Sequence, residues 1–348
     1  MKKILALMLA AIMTTACFAG CGTSDTEIIG EVNVFNWGEY IDEDLLQQFT
    51  DETGIKVNYQ TFDSNEIMYS KLKSGAASFD VIIPSDYMIS RMIEEDMLEK
   101  LNFENIPNFD DIMETMKNPE YDPANEYSVP YTWGTVVLIY NTTLVDEADT
   151  TSWDILWNEK YKGQILMFDN SRDAMGIALK LLGYSMNTTD EAELQAAADL
   201  LSTQKDVLQG YAMDQILQKL PSGDAAIAPY YAGDYITMVE ENPDLAYSIP
   251  AEGTNLFTDA MCIPKGAENK EYAEMFINFM TRTDVAAQNI EYIGYSTPVQ
   301  SVYDDLDEET KNSVSYPSQD ALANTEVFIN LPSDTLELYD KLWIDIRK

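Results

Sequence analysis

From residue 31 onward the chain alternates short apolar runs with longer amphipathic stretches. Residues 32–37 are strand-like, and 42–53 place Leu45, Leu46 and Phe49 on one helical face with Gly54 as the stop. Residues 55–62 predict the next strand, and Ser64 can cap a helix running to Leu72. The continuous apolar run over 79–84 is typical of a parallel strand buried on both faces. Residues 127–140 are extended around Trp133-Gly134, with 135–140 strand-like, and predict a crossing into a second lobe. There, 164–168 reads as a strand, 172–182 and 190–201 as helices, and 225–231 as an apolar strand after the turn Pro221-Ser222-Gly223. Residues 257–263 predict a strand returning to the first lobe, followed by a helix over 270–281 and an acidic helical tail after Gln300. Repetition of strand, helix and strand places the chain in the α/β class.

The first residues follow a different pattern. Lys2 and Lys3 precede an apolar run over 4–13 and then small residues up to Cys21. The run is shorter than the ~20 residues that cross a bilayer, so 1–20 reads as a secretory signal and 21–30 as a polar tether. Phe18-Ala19-Gly20-Cys21 resembles a bacterial lipobox, with Cys21 as the lipidated residue and Cys17 as the alternative. Removal of the signal leaves Cys262 as the free thiol, with no disulfide possible, and its apolar surroundings read as strand.

Composition narrows the chemistry. The chain has 348 residues, 46% of them hydrophobic, which is enough for a sizeable core and excludes overall disorder. It contains no histidine, which removes every His-dependent triad and every HExxH zinc site. Lys plus Arg number 21 against 60 Asp plus Glu, a formal charge of −39 that repels nucleic acid and attracts cations. No GxGxxG follows a strand and no P-loop occurs. The acidic run over 304–309 lacks calcium-loop spacing and reads as a solvated helix start.

Acids and aromatics fall where the predicted strands end, and ligands of open α/β sheets bind there. Trp37, Glu39 and Tyr40 follow the first strand, Ser85 and Tyr87 the third, and Asp173 the strand ending at Phe168. Tyr230 and Tyr231 end another, and Asp259 stands beside Phe257. Aromatic faces that hold methylene chains and attract ammonium groups, with carboxylates at the ends, imply a slender organic dication.

Asn36-Trp37-Gly38-Glu39-Tyr40-Ile41, the segment from Gln48 to Val57, Ser64-Asn65-Glu66 and Asp80-Val81-Ile82-Ile83-Pro84-Ser85-Asp86-Tyr87 resemble the spermidine/putrescine-binding proteins of bacterial polyamine ABC importers. Val129-Pro130-Tyr131-Thr132-Trp133-Gly134, Tyr161-Lys162-Gly163 and Ile293-Gly294-Tyr295-Ser296-Thr297-Pro298 continue the likeness across the chain beyond the leader. The resemblance implies a two-lobed periplasmic-binding-protein fold (type II), each lobe a mixed sheet flanked by helices, with a hinge of crossing strands. One lobe would hold 31–135 and 257–303, the other 136–256 and 304–348. It also implies a ligand site of Trp37, Glu39, Tyr40, Ser85, Tyr87, Asn170, Asp173, Tyr230, Phe257, Asp259 and Tyr295. Expected with it are a non-catalytic role without cofactor or metal, a polyamine ligand, a permease with its ATPase subunits as partner, a monomer, and membrane contact only through lipid. Asn170 stands where relatives often have Asp. With Glu39, Asp173 and Asp259 as the anions, putrescine is expected to bind at least as well as spermidine. The competing readings are a secreted carboxylate-pair hydrolase and a two-lobed binder of a metal ion or an anion.

Overall fold

A computed structural model describes residues 26–75 and 77–348; the expected leader over 1–20 and the lipidation residue Cys21 lie outside the described residues. Among the described residues nine strands form one sheet, β1 Gly30–Trp37, β2 Ile55–Phe62, β3 Val81–Ile82, β4 Ser128–Asn141, β5 Ile165–Phe168, β6 Leu208–Ala212, β7 Ile227–Tyr231, β8 Leu245–Ser248 and β9 Leu256–Cys262. Their order is β2-β1-β3-β9-β4-β7-β5-β6, with β8 also on β4. β1 is parallel to β2 and β3, and β5 is parallel to β6 and β7, whereas β9 and β4 run antiparallel to their neighbours.

β4 carries the two halves of the path. From Ser128 to Thr135 it pairs with β9, and from Val136 to Tyr140 with β7. The change of partner falls in the stretch singled out by Trp133-Gly134, and β9 enters at Leu256 directly after Asn255. Gly253 stands in that second crossing with φ 91°, and a Cβ there would lie 2.0 Å from the Asn324 carbonyl oxygen, so both conformation and contact require glycine.

Each half closes around its own core. In the first, Val32 and Val34 of β1 pack with Phe49 of helix α1 (Asp44–Thr53), while Phe35 points to the other face against Phe79 and Met88. Apolar side chains are thus buried on both faces of this strand. Gly54 ends α1 at φ 73°, and Ser64 caps α2 (Asn65–Lys73) by accepting from the Ile67 N–H. In the second, β5 and β7 are covered by α4 (Ser171–Leu181) and α5 (Glu191–Gln204), with Trp153, Leu194 and Tyr339 buried. Helix α3 (Asp86–Glu94) follows β3, and α6 (Ala232–Glu241) follows β7. Beyond β9 lie α7 (Lys270–Met280), α8 (Thr283–Ile293) and the terminal α9 (Ser333–Arg347).

Two expectations change. The apolar run over 79–84 is buried throughout but forms a regular strand only over Val81–Ile82, with further backbone bonds to its neighbours at Asp80, Ile83 and Pro84. The tail is not uniformly helical, because 312–332 is irregular, contains Pro317 and Pro332, and runs back over the crossings before α9 begins. Cys262 is a buried free thiol. Among the described residues no helix is long and apolar enough to cross a membrane.

Candidate functional site

The strands of each parallel set point the same way, so the loops after β1, β2 and β3 and after β5, β6 and β7 meet across one cavity. Counting its open mouth it holds about 790 Å³. Four acids that line it occupy first turns of helices: Glu66 of α2, Asp86 of α3, Asp173 of α4 and Asp234 of α6. Helix N-termini supply N–H groups and positive dipole ends, which favour carboxylates at such positions.

The first half contributes a rigid wall. Trp37 donates from Nε1 to the Ile83 carbonyl (2.9 Å), which fixes the indole at the end of β1. Tyr40 donates to Asp259 Oδ2 (2.8 Å), contacts the Thr132 hydroxyl, and meets Tyr131 and Tyr295 edge to face. Asn65 accepts from the Ser85 N–H and donates to the Ser85 and Tyr87 hydroxyl oxygens, and Tyr87 donates to Glu66 Oε1 (2.9 Å). In the second half Asn170 caps α4 through the Asp173 N–H (2.9 Å) and also donates to the Asp173 carboxylate, to which Tyr231 donates at 3.0 Å. Tyr295 reaches across to donate to Asp234 Oδ2 at 2.6 Å.

Seven carboxyls line the cavity, against a single Lys or Arg side chain, Arg172. The acids fall into two groups, defined by which charges oppose each other's ionisation. Asp234 is opposed by Asp214 and Glu39, and Asp214 by Asp63 and Glu39. At the other end Asp173 is opposed by Glu66, Asp259 by Asp173, and Asp86 by Asp259. Between the groups stand Tyr40, Tyr230, Tyr231, Phe257 and Tyr295, linked ring to ring. Burial is the main cause of the raised pKa values: it pushes Asp86 up to about 8, Asp234 to about 7 and Asp259 to about 6, and raises Asp173 and Asp214. Hydroxyls of Ser85 and Tyr40 partly offset this at Asp259. Asp259 Oδ1 is nonetheless buried and meets no donor at hydrogen-bonding geometry.

These raised values have a definite sign. In the free protein such acids hold protons that an unfolded chain would release, so their contribution to stability falls as pH rises from about 4 to 8. A bound cation favours the ionised form, so binding is expected to release protons and to tighten between about pH 6 and 8. Calorimetry in buffers of different ionisation enthalpy checks this; proton uptake on binding would contradict it.

Ten of the eleven residues expected at a site line this cavity: Trp37, Tyr40, Ser85, Tyr87, Asn170, Asp173, Tyr230, Phe257, Asp259 and Tyr295. Glu39 does not. Its backbone turns through φ 49° and it is exposed, while Trp37 and Tyr40 on either side line the cavity. Asp63, Glu66, Asp86, Asp214 and Asp234 were not among the expected residues, so a count of three anions understates the site, and charge matching does not favour a diamine over a triamine. The rule that selected Asp173 would also have selected Asp63, Asp86 and Asp234, each within three residues of a strand or apolar-run end. Among the described residues no group of acids or cysteine is arranged to hold a metal ion.

Comparison with known proteins matches residues 44–318 to the bacterial extracellular solute-binding protein family. The spermidine/putrescine-binding periplasmic protein of Escherichia coli (strain K12) is 37% identical over 294 residues, 84% of each chain. A solved structure described as a spermidine/putrescine ABC transporter from Listeria monocytogenes is 40% identical and superposes with a TM-score of 0.88, covering 91% of this chain and 98% of that one. The Tp0655 (TpPotD) lipoprotein of Treponema pallidum is 28% identical with a TM-score of 0.80, over 91% of this chain and 99% of its own.

Proposed function

Because the chain belongs to the bacterial extracellular solute-binding proteins, we propose that it captures polyamines, putrescine and spermidine among them, outside the cytoplasm and delivers them to an ABC permease. The observation that carries this reading is the two-ended acidic cavity with aromatic walls between its ends. Grouped carboxylates crowded in a buried space oppose one another, and a dication relieves that opposition at both ends at once. Tyrosine and phenylalanine faces along the middle suit a methylene chain and the ammonium groups beside it. The protein acts by binding, without catalysis.

In this reading 31–135 with 257–303 form one lobe and 136–256 with 304–348 the other. The hinge lies where β4 changes partner and where Asn255 leads into β9. Ligand contacts from both lobes favour a closed form, since each acidic group draws members from both lobes and is complete only in the closed cleft. The protein is a monomer anchored to the membrane by lipid on Cys21. The kinship with a solved lipoprotein supports that anchor, as does the lipobox-like Phe18-Ala19-Gly20-Cys21.

Calorimetric titration of ligand-stripped protein with putrescine, spermidine, spermine and a neutral sugar tests the proposal. Saturable one-to-one binding of at least one polyamine and none of the sugar is expected. Polyamine heats no larger than those of the sugar would overturn it.

A further inference from the structure

Arg172 is the exception in an acidic cavity. It lies in the first half of α4, is 3% exposed, and lines the cavity beside Phe328 and Tyr87. Its guanidinium sits over three rings, Phe328 at 4.5 Å, Tyr87 at 4.8 Å and Tyr339 at 5.6 Å. Its terminal nitrogens donate to the Ile329 carbonyl (3.3 Å) and Asn187 Oδ1 (3.4 Å), and to no carboxylate among the described residues, while its buried Nε meets no partner. Aromatic faces and a carbonyl hold a guanidinium in place without cancelling its charge. Asp86 and Asp173 both feel that charge, which places it at the Glu66, Asp173 and Asp259 end of the cavity. At the same end Phe328 meets Tyr87 edge to face.

We infer that Arg172 is a specificity-determining residue: its caged positive charge ends the usable length of the cavity and rejects polyamines long enough to bring an ammonium group against it. An ammonium group reaching this end would face a fixed cation in a site with little water, where repulsion is screened least. A neutral chain end of equal length would escape that repulsion. The inference rests on the polyamine reading and adds to it a limit on ligand length set by charge rather than by space alone.

Two comparisons test it. In the first, Kd values for spermidine and spermine are measured on wild type, Arg172→Gln and Arg172→Lys. Arg172→Gln is expected to shift the ratio toward spermine by about tenfold or more, with Arg172→Lys staying near wild type. A smaller shift in Arg172→Gln, or an equal shift in Arg172→Lys, overturns the inference. The second uses wild type alone and so stands even if Arg172→Gln fails to fold. N-butylspermidine, which has spermine's length with a methyl group in place of one terminal amine, is expected to bind about tenfold tighter than spermine despite its lower charge. Equal binding, or tighter binding of spermine, overturns it. A wild-type protein that binds no polyamine at all would instead overturn the functional reading, and this inference with it.

Discussion

Replacing Asp259 by Asn is expected to weaken polyamine binding by ~2–5 kcal/mol, about 30-fold to several thousandfold, while leaving the fold intact. The carboxylate is buried, one oxygen accepts from Tyr40, and the other meets no donor. An ammonium group would satisfy that second oxygen. Asn keeps the shape and can still accept from Tyr40, but it carries no charge, so the bound cation is left without its partner in a desolvated site. The free protein should behave in the opposite way. Burial raises the Asp259 carboxyl to about 6, so an ionised side chain costs stability at neutral pH, and Asn removes that cost. The variant is therefore expected to melt no lower than wild type near pH 7 when free, and to gain little from added polyamine. Thermal melts with and without ligand check both halves; unchanged affinity would remove Asp259 from the site.

The second large effect concerns closure. Gly233 stands in the first turn of α6, and a Cβ built on it would lie 2.2–2.5 Å from ring atoms of Tyr295, on the opposite side of the cleft. Tyr295 is buried and held by Asp234, so its ring has little freedom to give way. Gly233→Val should therefore be accommodated when the cleft is open and obstructed when it closes. Overpacking of this kind costs ~1–3 kcal/mol, which predicts affinity about 5- to 150-fold weaker with little change in the melting temperature of the free protein. Small-angle scattering supplies the independent readout. Wild type is expected to compact on saturation with polyamine and Gly233→Val to compact less at equal occupancy. Full compaction and wild-type affinity in the variant would contradict closure through this contact.

Much of the fold is legible because β5 and β7 are short apolar runs and β1 and β2 largely alternate apolar with polar residues. β6 is not, since Leu208-Gln209-Gly210-Tyr211-Ala212 is too polar to stand out, and with it Asp214 goes unread. Glu39 shows a different limit. Its place after β1 is readable, but its positive φ and its exposure at the rim, where its charge reaches Asp214 and Asp234, are not revealed by residue order. Phe328 depends on contacts distant in sequence, because the irregular tail brings it between Tyr87 and Arg172 after crossing both halves of the molecule. Positions tied to a strand end are thus readable, whereas those set by a loop turn or by the returning tail are not.

A crystal structure of the protein grown with spermidine is the decisive measurement. One extended polyamine is expected in the cavity, with one nitrogen within hydrogen-bonding distance of Asp259 Oδ1 and another among Asp63, Asp214 and Asp234, its methylenes lying along Tyr40, Tyr231 and Phe257. Polyamine bound elsewhere on the surface, with Asp259 Oδ1 still unpaired, would contradict it.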